Sequence, residues 1–292
     1  MALLHHLGVS GGKDSTALLL WAIHESGLPR ESLRATFCDT GNEDPVTYAH
    51  IRRLEEIAIH AGIPGGLETL KPPLQFFDLA LKKKRFPSRK AQFCTILLKI
   101  EPTRTWLRQQ WAEGHETVIM NGKRVGESNE RKKSMAGKPA RAFSDYWGCE
   151  EWSPLRDWTF EDVKAIHRRH GVPLNPLYAL GAKRVGCWPC INCGKLEIRL
   201  VSKHRPEKIA FIAEQERRHL EVNGQFCTFF PSNTTTANFH DQTYKRKKDG
   251  KEFGAASIGN VVKWAQTERG GKQIRLDFEE APACHLDYHA CE

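Results

Sequence analysis

The run Leu3-Leu4-His5-His6-Leu7-Gly8-Val9-Ser10-Gly11-Gly12-Lys13-Asp14-Ser15-Thr16 sets an apolar, strand-like piece against a glycine break and the start of a helical pattern. Leu3–Val9 reads as a strand and Thr16–Ser26 as a helix. A strand that breaks on Ser-Gly-Gly and restarts as a helix leaves several backbone N–H groups unpaired at the helix start. The helix dipole adds positive potential there, so such a turn receives anions, phosphates above all. The glycines let the main chain approach a ligand, and Lys13 adds a mobile positive charge. Asp14 stands between Lys13 and Ser15, so this is not the Gly-Lys-Ser/Thr loop of P-loop nucleotide-binding proteins.

Outward from this loop the first half of the chain keeps alternating. Leu33–Cys38 reads as a second strand and Pro45–Ala61 as a second helix. A short apolar piece, Leu67–Leu70, follows, then a helix at Thr103–Trp111 and a strand at Thr117–Asn121. The rhythm predicts an α/β fold, a doubly wound parallel sheet with helices on both faces. Ligands of such sheets sit at the carboxyl ends of the strands, where both Ser10–Ser15 and Asp39-Thr40-Gly41 fall. Past Ser153 the rhythm changes. A helix at Glu161–His170 precedes a Pro- and Cys-bearing segment, 173–194, and one helix is expected over Lys195–Leu220. Lys247-Lys248-Asp249-Gly250-Lys251 reads as a hairpin turn. The expected division is a nucleotide-binding α/β domain over 1–178 and a cysteine-rich, basic C-terminal extension over 179–292.

The chain has 292 residues, enough for one large or two modest cores. It holds no apolar run long enough to span a membrane, and its start lacks the pattern of a secretory leader. A cytoplasmic location with no membrane partner is the expectation. In that setting the nine cysteines read as thiols, metal ligands or catalysts, and not as a disulfide framework. A formal charge of +9 suits an anionic ligand or a nucleic acid without choosing between them. Lys82–Arg85 and Lys245–Lys248 are candidate nucleic-acid contacts, with Phe229, Phe230 and Tyr244 near the second run for stacking. An exposed, solvated loop accounts for either run equally well.

Cys187, Cys190 and Cys193 form a Cys-x2-Cys-x2-Cys run beside Pro189 and Gly194, a spacing that lets thiolates converge on one point. Structural zinc and cubane iron–sulfur clusters both want a fourth ligand. Cys38 and Cys227 read as buried apolar thiols. Cys284 and Cys291 lie in a tail with His285, Asp287 and His289, a set suited to metal or redox work.

The loop Ser10-Gly11-Gly12-Lys13-Asp14-Ser15 resembles the PP-loop of ATP pyrophosphatases, which split ATP between its α- and β-phosphates. Further pieces resemble, in order, the phosphoadenylyl- and adenylyl-sulfate reductases, a family of PP-loop adenine nucleotide alpha-hydrolases. They are Asp39-Thr40-Gly41-Asn42, Phe93-Cys94-Thr95 with Leu98–Pro102, Gly122-Lys123-Arg124-Val125-Gly126-Glu127-Ser128, Trp152–Thr159, Asn175–Tyr178, and Gly186-Cys187-Trp188-Pro189-Cys190. The resemblance covers roughly residues 5–195. It nominates Cys94 as the fourth ligand beside Cys187, Cys190 and Cys193. Iron–sulfur members carry a Cys-Cys pair where this chain has Phe93-Cys94, and Cys193 restores the count. A [4Fe-4S] cluster is the implied cofactor, with Zn2+ as the alternative. Two departures bear on activity. The loop is intact where the reductases usually have a degraded one, and their C-terminal Glu-Cys-Gly-x-x-His tail is absent.

The resemblance therefore implies an enzyme that binds ATP and magnesium at Ser10, Gly11, Gly12, Lys13, Asp14 and Ser15. Lys13, Asp14 and Ser15 carry the chemistry, the backbone amides and Lys13 steady the pyrophosphate leaving group, and Asp14 holds Mg2+ or positions the loop. Asp39, Thr40 and Gly41 are expected to meet adenine or ribose. Arg89, Lys90, Lys99, Arg124 and Arg131 are candidates for a second anionic group. Glu127 serves a metal or ribose, or aims Arg124. The leading expectation is sulfur or adenylyl transfer to a nucleic acid or small molecule, with a sulfur- or electron-donor protein as partner. A sulfonucleotide reductase using Cys284 or Cys291 is the second reading, and a nucleotide-binding regulator without chemistry the third.

Overall fold

The computed structural model describes residues 1–245 and 250–268, so the tail with Cys284 and Cys291 lies outside the described residues. The chain forms two compact units. The first takes Met1–Pro72, Leu97–Tyr178 and Arg184–Gly186; the second takes Pro73–Ile96, Ala179–Lys183 and Cys187–Glu292. Residues 73–96 thus belong with the C-terminal part of the chain, and 184–186 with the N-terminal part.

Six strands build the first unit: β1 (Leu3–Gly8), β2 (Leu33–Cys38), β3 (Leu67–Leu70), β4 (Glu116–Met120), β5 (Arg141–Ser144) and β6 (Cys149–Trp152). Their order is β3-β2-β1-β4-β6-β5, parallel throughout except for the edge strand β5, which runs antiparallel to β6. The α/β expectation, a mostly parallel sheet wound in both directions, holds. The chain leaves β1 toward β2 and β3, then returns to the other side of β1 as β4. The order reverses between β1 and β4, and a crevice opens at the carboxyl ends of these two strands.

Helices cover the sheet because their apolar positions recur at helical spacing. Pro45–His60 buries Thr47, His50, Ile51, Leu54 and Ala58 along one stripe. Its start is fixed by Asp44, whose side chain accepts the Val46 N–H at 2.9 Å, and by Pro45 at the first helical position. Lys13–His24 buries Leu18, Leu19, Leu20 and Ile23 in the main core. Each fully buried side chain of that size contributes about 1.5–3 kcal/mol. Phe160–Arg169 begins with a capping box between Thr159 and Asp162. Among the described residues no helix is long and apolar enough to cross a membrane.

The second unit holds the helices Phe76–Lys82, Lys195–His204, Pro206–Asn223 and Ile258–Gln266, and the antiparallel pair β7 (Gln242–Lys245) and β8 (Glu252–Ala255). The single helix expected over Lys195–Leu220 is two. Proline excludes helical geometry from the residue before it, and Arg205 takes φ −141° and ψ 59° ahead of Pro206. Of the turn expected at Lys247–Lys251, residues 247–249 lie outside the described residues. Phe229 and Phe230, read from sequence as stacking platforms, are buried at 0% and 2% exposure. They pack with Phe76, Phe77 and Phe86 as the aromatic core of this unit. Lys82–Arg85 are exposed.

Candidate functional site

After β1 the chain passes Val9 and Ser10, turns at Gly11 with φ +72°, and enters the helix at Lys13. That left-handed conformation favours glycine, and a Cβ at Gly11 would stand 3.3 Å from Ile51 and Thr47. Ser15 closes the turn. Its hydroxyl donates to the Gly12 carbonyl at 3.0 Å, accepts the Ser10 N–H at 3.1 Å, and lies 3.1 Å from the Ser10 hydroxyl. Ser15 therefore ties the loop together.

Residues remote in sequence grip the next two positions. The Lys13 N–H donates to the Tyr178 hydroxyl at 3.1 Å, and the Lys13 ammonium lies over the Tyr178 ring at 5.1 Å. Nε2 of the buried His167 is 3.0 Å from the Lys13 carbonyl. Asp14 Oδ1 accepts from Arg124 Nε at 2.6 Å, while Oδ2 stands 3.7 Å from the Lys13 ammonium. Arg124 is only 3% exposed and donates through Nη1 to the Trp158 carbonyl at 3.3 Å. Gly122 lies so close to the loop that a Cβ there would fall 2.7 Å from the Asp14 carbonyl oxygen.

Two sequence expectations change here. Arg124, read as an anion ligand, is buried and committed to Asp14. Asp14, read as holding magnesium or positioning the loop, has both carboxylate oxygens facing cations. This donor set does not fit a resident divalent cation, and no step is derived through one.

The loop forms one wall of a cavity of about 190 Å³ that also draws Gly122, Lys123, Glu127 and Arg131 from the segment after β4, and Tyr178, Arg184 and Val185 from farther along. Lys123 bonds to Glu151, which also accepts from Asn121. Arg131 pairs with Glu127 at 3.3 Å. Arg184 is exposed and has no hydrogen bond or ion pair among the described residues. Lys13, Lys123, Arg131 and Arg184 bring four cations to this cavity. Sequence reasoning passed over Gly122, Lys123, Tyr178 and Arg184 as site residues. The available signal was that Gly122 and Lys123 follow the strand at which the sheet order reverses.

A second cavity, of about 200 Å³, shares Ser10 with the first and is lined by Val9, Thr36, Phe37, Cys38, Glu43 and Lys99 among others. Lys99 sits on the π-helical turn Ile96–Ile100. Burial pushes the Cys38 thiol up from its ordinary value. Asp39 and Thr40 are spent on their own neighbourhood. Asp39 accepts from the Gly41 N–H at 3.0 Å and the Tyr48 hydroxyl at 2.7 Å, and the Thr40 hydroxyl donates to Glu43 at 2.6 Å. Burial, then Asp39 and Glu43, raise the Tyr48 phenol above its usual range. Arg89 is an exposed residue of the second unit.

Cys94, Cys187, Cys190 and Cys193 all belong to the second unit. Cys190 and Cys193 share a tight turn, with the Cys193 N–H donating to the Cys190 carbonyl at 2.9 Å and the Asn192 N–H to Cys190 Sγ at 3.5 Å. Burial, then Glu197 and Cys190, hold the Cys193 thiol well above its ordinary value. Among the described residues no three His, Cys, Asp or Glu side chains are gathered so as to hold a metal.

Residues 5–193 match the model of the phosphoadenosine phosphosulfate reductase domain. An uncharacterized 37.8 kDa protein in the gpa 5′ region of Escherichia phage 186 is 33% identical, over 92% of this chain and 90% of that protein. The adenosine 5′-phosphosulfate reductase of Deinococcus radiodurans is 27% identical over 54% of this chain, a span of 56% of that enzyme. Among solved structures, the phosphoadenylyl-sulfate reductase of Candida auris in its phosphate complex aligns with a TM-score of 0.43 and 23% identity, covering 64% of this chain and 82% of that one.

Proposed function

The chain belongs to the phosphoadenosine phosphosulfate reductase domain family, and from that premise we propose that it is an enzyme that binds ATP and cleaves it between the α- and β-phosphates. The observation that carries this reading is the cavity at the reversal between β1 and β4, where the complete Ser10–Ser15 loop faces Lys123, Arg131 and Arg184. Pyrophosphate leaving the α-phosphorus gains charge as the bond breaks. Loop amides and the four cations stand ready to stabilise that charge in place, without reorganisation at the moment of reaction. The adenylyl group passes to an acceptor, activating it for sulfur or adenylyl transfer. The nucleoside occupies the second cavity, along Val9, Phe37 and Cys38.

The cysteine run belongs to the proposal on its spacing alone. Cys94, Cys187, Cys190 and Cys193 are assigned as ligands of a [4Fe-4S] cluster or of zinc, and no step of the cleavage passes through them. Metal analysis of anaerobically purified protein, wild type against Cys190→Ser, checks this. Equal metal content in the two removes the assignment.

Lys13→Ala is expected to lose about 2–4 kcal/mol of transition-state stabilisation, as preorganised charge donors do. The measurement is phosphate speciation after incubation with ATP and candidate acceptors: pyrophosphate supports the reading, and orthophosphate from the γ position overturns it. Sulfonucleotide reduction is the second reading, favoured by the likeness to the Deinococcus enzyme. Sulfite release from adenylyl sulfate or its 3′-phosphate with a thiol reductant, without pyrophosphate from ATP, would put it first.

A further inference from the structure

The Arg124–Asp14 pair is the least exposed ionic contact at the site, with side chains 3% and 20% exposed. A guanidinium this deeply buried has given up its hydration, and it has done so next to a loop that must present amides to an anion. Two of its donors are directed, Nε to Asp14 Oδ1 at 2.6 Å and Nη1 to the Trp158 carbonyl at 3.3 Å. One side chain thus ties the first turn of the Lys13–His24 helix to the segment ahead of Phe160–Arg169. The Gly122 backbone, two residues before Arg124, packs against the Asp14 carbonyl, so side chain and main chain of one segment hold the same loop residue.

We propose that Arg124 is a positioning residue whose buried guanidinium, in place of a metal ion, holds Asp14 and locks the phosphate loop in its anion-receiving conformation. This rests on the reading of Ser10–Ser15 as the ATP site. Anion binding at a helix start needs several N–H groups converging on one point, and a loop left free would have to be ordered by each ligand that arrives. The lock bears that ordering in advance. Arginine is needed because its planar fork meets two acceptors at once, where lysine offers only a point charge. On this view the anion is met by Lys13, Lys123, Arg131 and Arg184, and Arg124 never touches it.

The test compares wild type, Arg124→Gln, Arg124→Lys, Asp14→Asn and the double variant Asp14→Asn/Arg124→Gln in two measurements. Hydrogen exchange of the Gly11–Ser15 amides in nucleotide-free protein reads the lock without reference to ATP. Calorimetric titration with ATP, with magnesium and with EDTA, reads the site. Arg124→Gln is expected to speed loop exchange by roughly tenfold or more and to weaken ATP by a similar factor, with Arg124→Lys restoring only part of each. The double variant, which leaves no buried charge unpaired, is expected to be no worse than Arg124→Gln and serves if a single variant fails to fold.

Unchanged loop exchange in both Arg124→Gln and the double variant overturns the proposal, whatever happens to affinity. So does a loss of magnesium dependence in Asp14→Asn that Arg124→Gln does not share, because Asp14 would then be a metal ligand. Wild-type protein that binds no ATP but still shows faster loop exchange in Arg124→Gln removes the ATP reading and leaves the lock standing.

Discussion

Gly122 shows how much can hang on a missing atom. A Cβ at this position would lie 2.7 Å from the Asp14 carbonyl oxygen and 3.0 Å from its carbon, both main-chain atoms that cannot swing aside. Gly122→Ala must displace either the end of β4 or the phosphate loop that faces the cavity. Nucleotide affinity should fall by about tenfold or more while the thermal midpoint moves by only a few degrees. Titration with ATP beside a melting curve checks this, and unchanged affinity would refute it. The loop itself was legible in sequence because its chemistry is local, a glycine break between a strand and a helix. Gly122, Tyr178, Arg184 and the pairing of Arg124 with Asp14 were not, because each acquires its role from a neighbour far away along the chain. Arg124 was read as an anion ligand since an arginine in a motif looks available, and only the structure shows it buried against Asp14.

Among the elements, the one with the most to say is the helix Pro206–Asn223. Its Glu216 is 1% exposed and accepts the Phe229 N–H at 2.7 Å and the Ile258 N–H at 2.9 Å. Ile258 opens the Ile258–Gln266 helix, so one carboxylate caps that helix and pins the chain beside the aromatic core. Glu216→Ala leaves two buried N–H groups unpaired and should cost about 2–4 kcal/mol, read by chemical denaturation. A loss below about 0.5 kcal/mol would show that water replaces the carboxylate. In the first unit, four strand-like pieces and four helices were foreseen from apolar periodicity, with ends shifted by a few residues. The β5–β6 hairpin was not, since Arg141–Ser144 and Cys149–Trp152 are short, polar and half-exposed. The break at Pro206 was written in the sequence and outweighed by the apolar pattern on either side of it.

At the scale of the whole molecule, buried titratable groups set opposite pH dependences in the two units. In the first unit His6 and His50 are each lowered to about 4. Burial is the main cause for both, with His167 and then Arg53 adding to it for His50. His6 holds Thr36 at 2.8 Å inside the sheet, where a second proton finds no acceptor. The unfolded chain binds protons at these positions near pH 6.5 and the folded one only near 4. The stability they supply is therefore complete above pH 6.5 and is lost as pH falls toward 4, by up to about 3 kcal/mol for each group. In the second unit Glu216 is raised to about 7 by burial, which outweighs its two N–H donors. Its sign is reversed: the contribution is complete below its ordinary value near 4.5 and disappears as pH rises through 7. Melting curves between pH 4 and 8 should separate the two effects through variants. His6→Gln should flatten the fall on the acid side and leave the neutral side unchanged, and Glu216→Gln should flatten the decline between pH 4.5 and 7 and leave the acid fall in place. If His6→Gln kept the wild-type acid slope, the imidazole in the sheet would not be what acid attacks, and His50 would carry that loss alone.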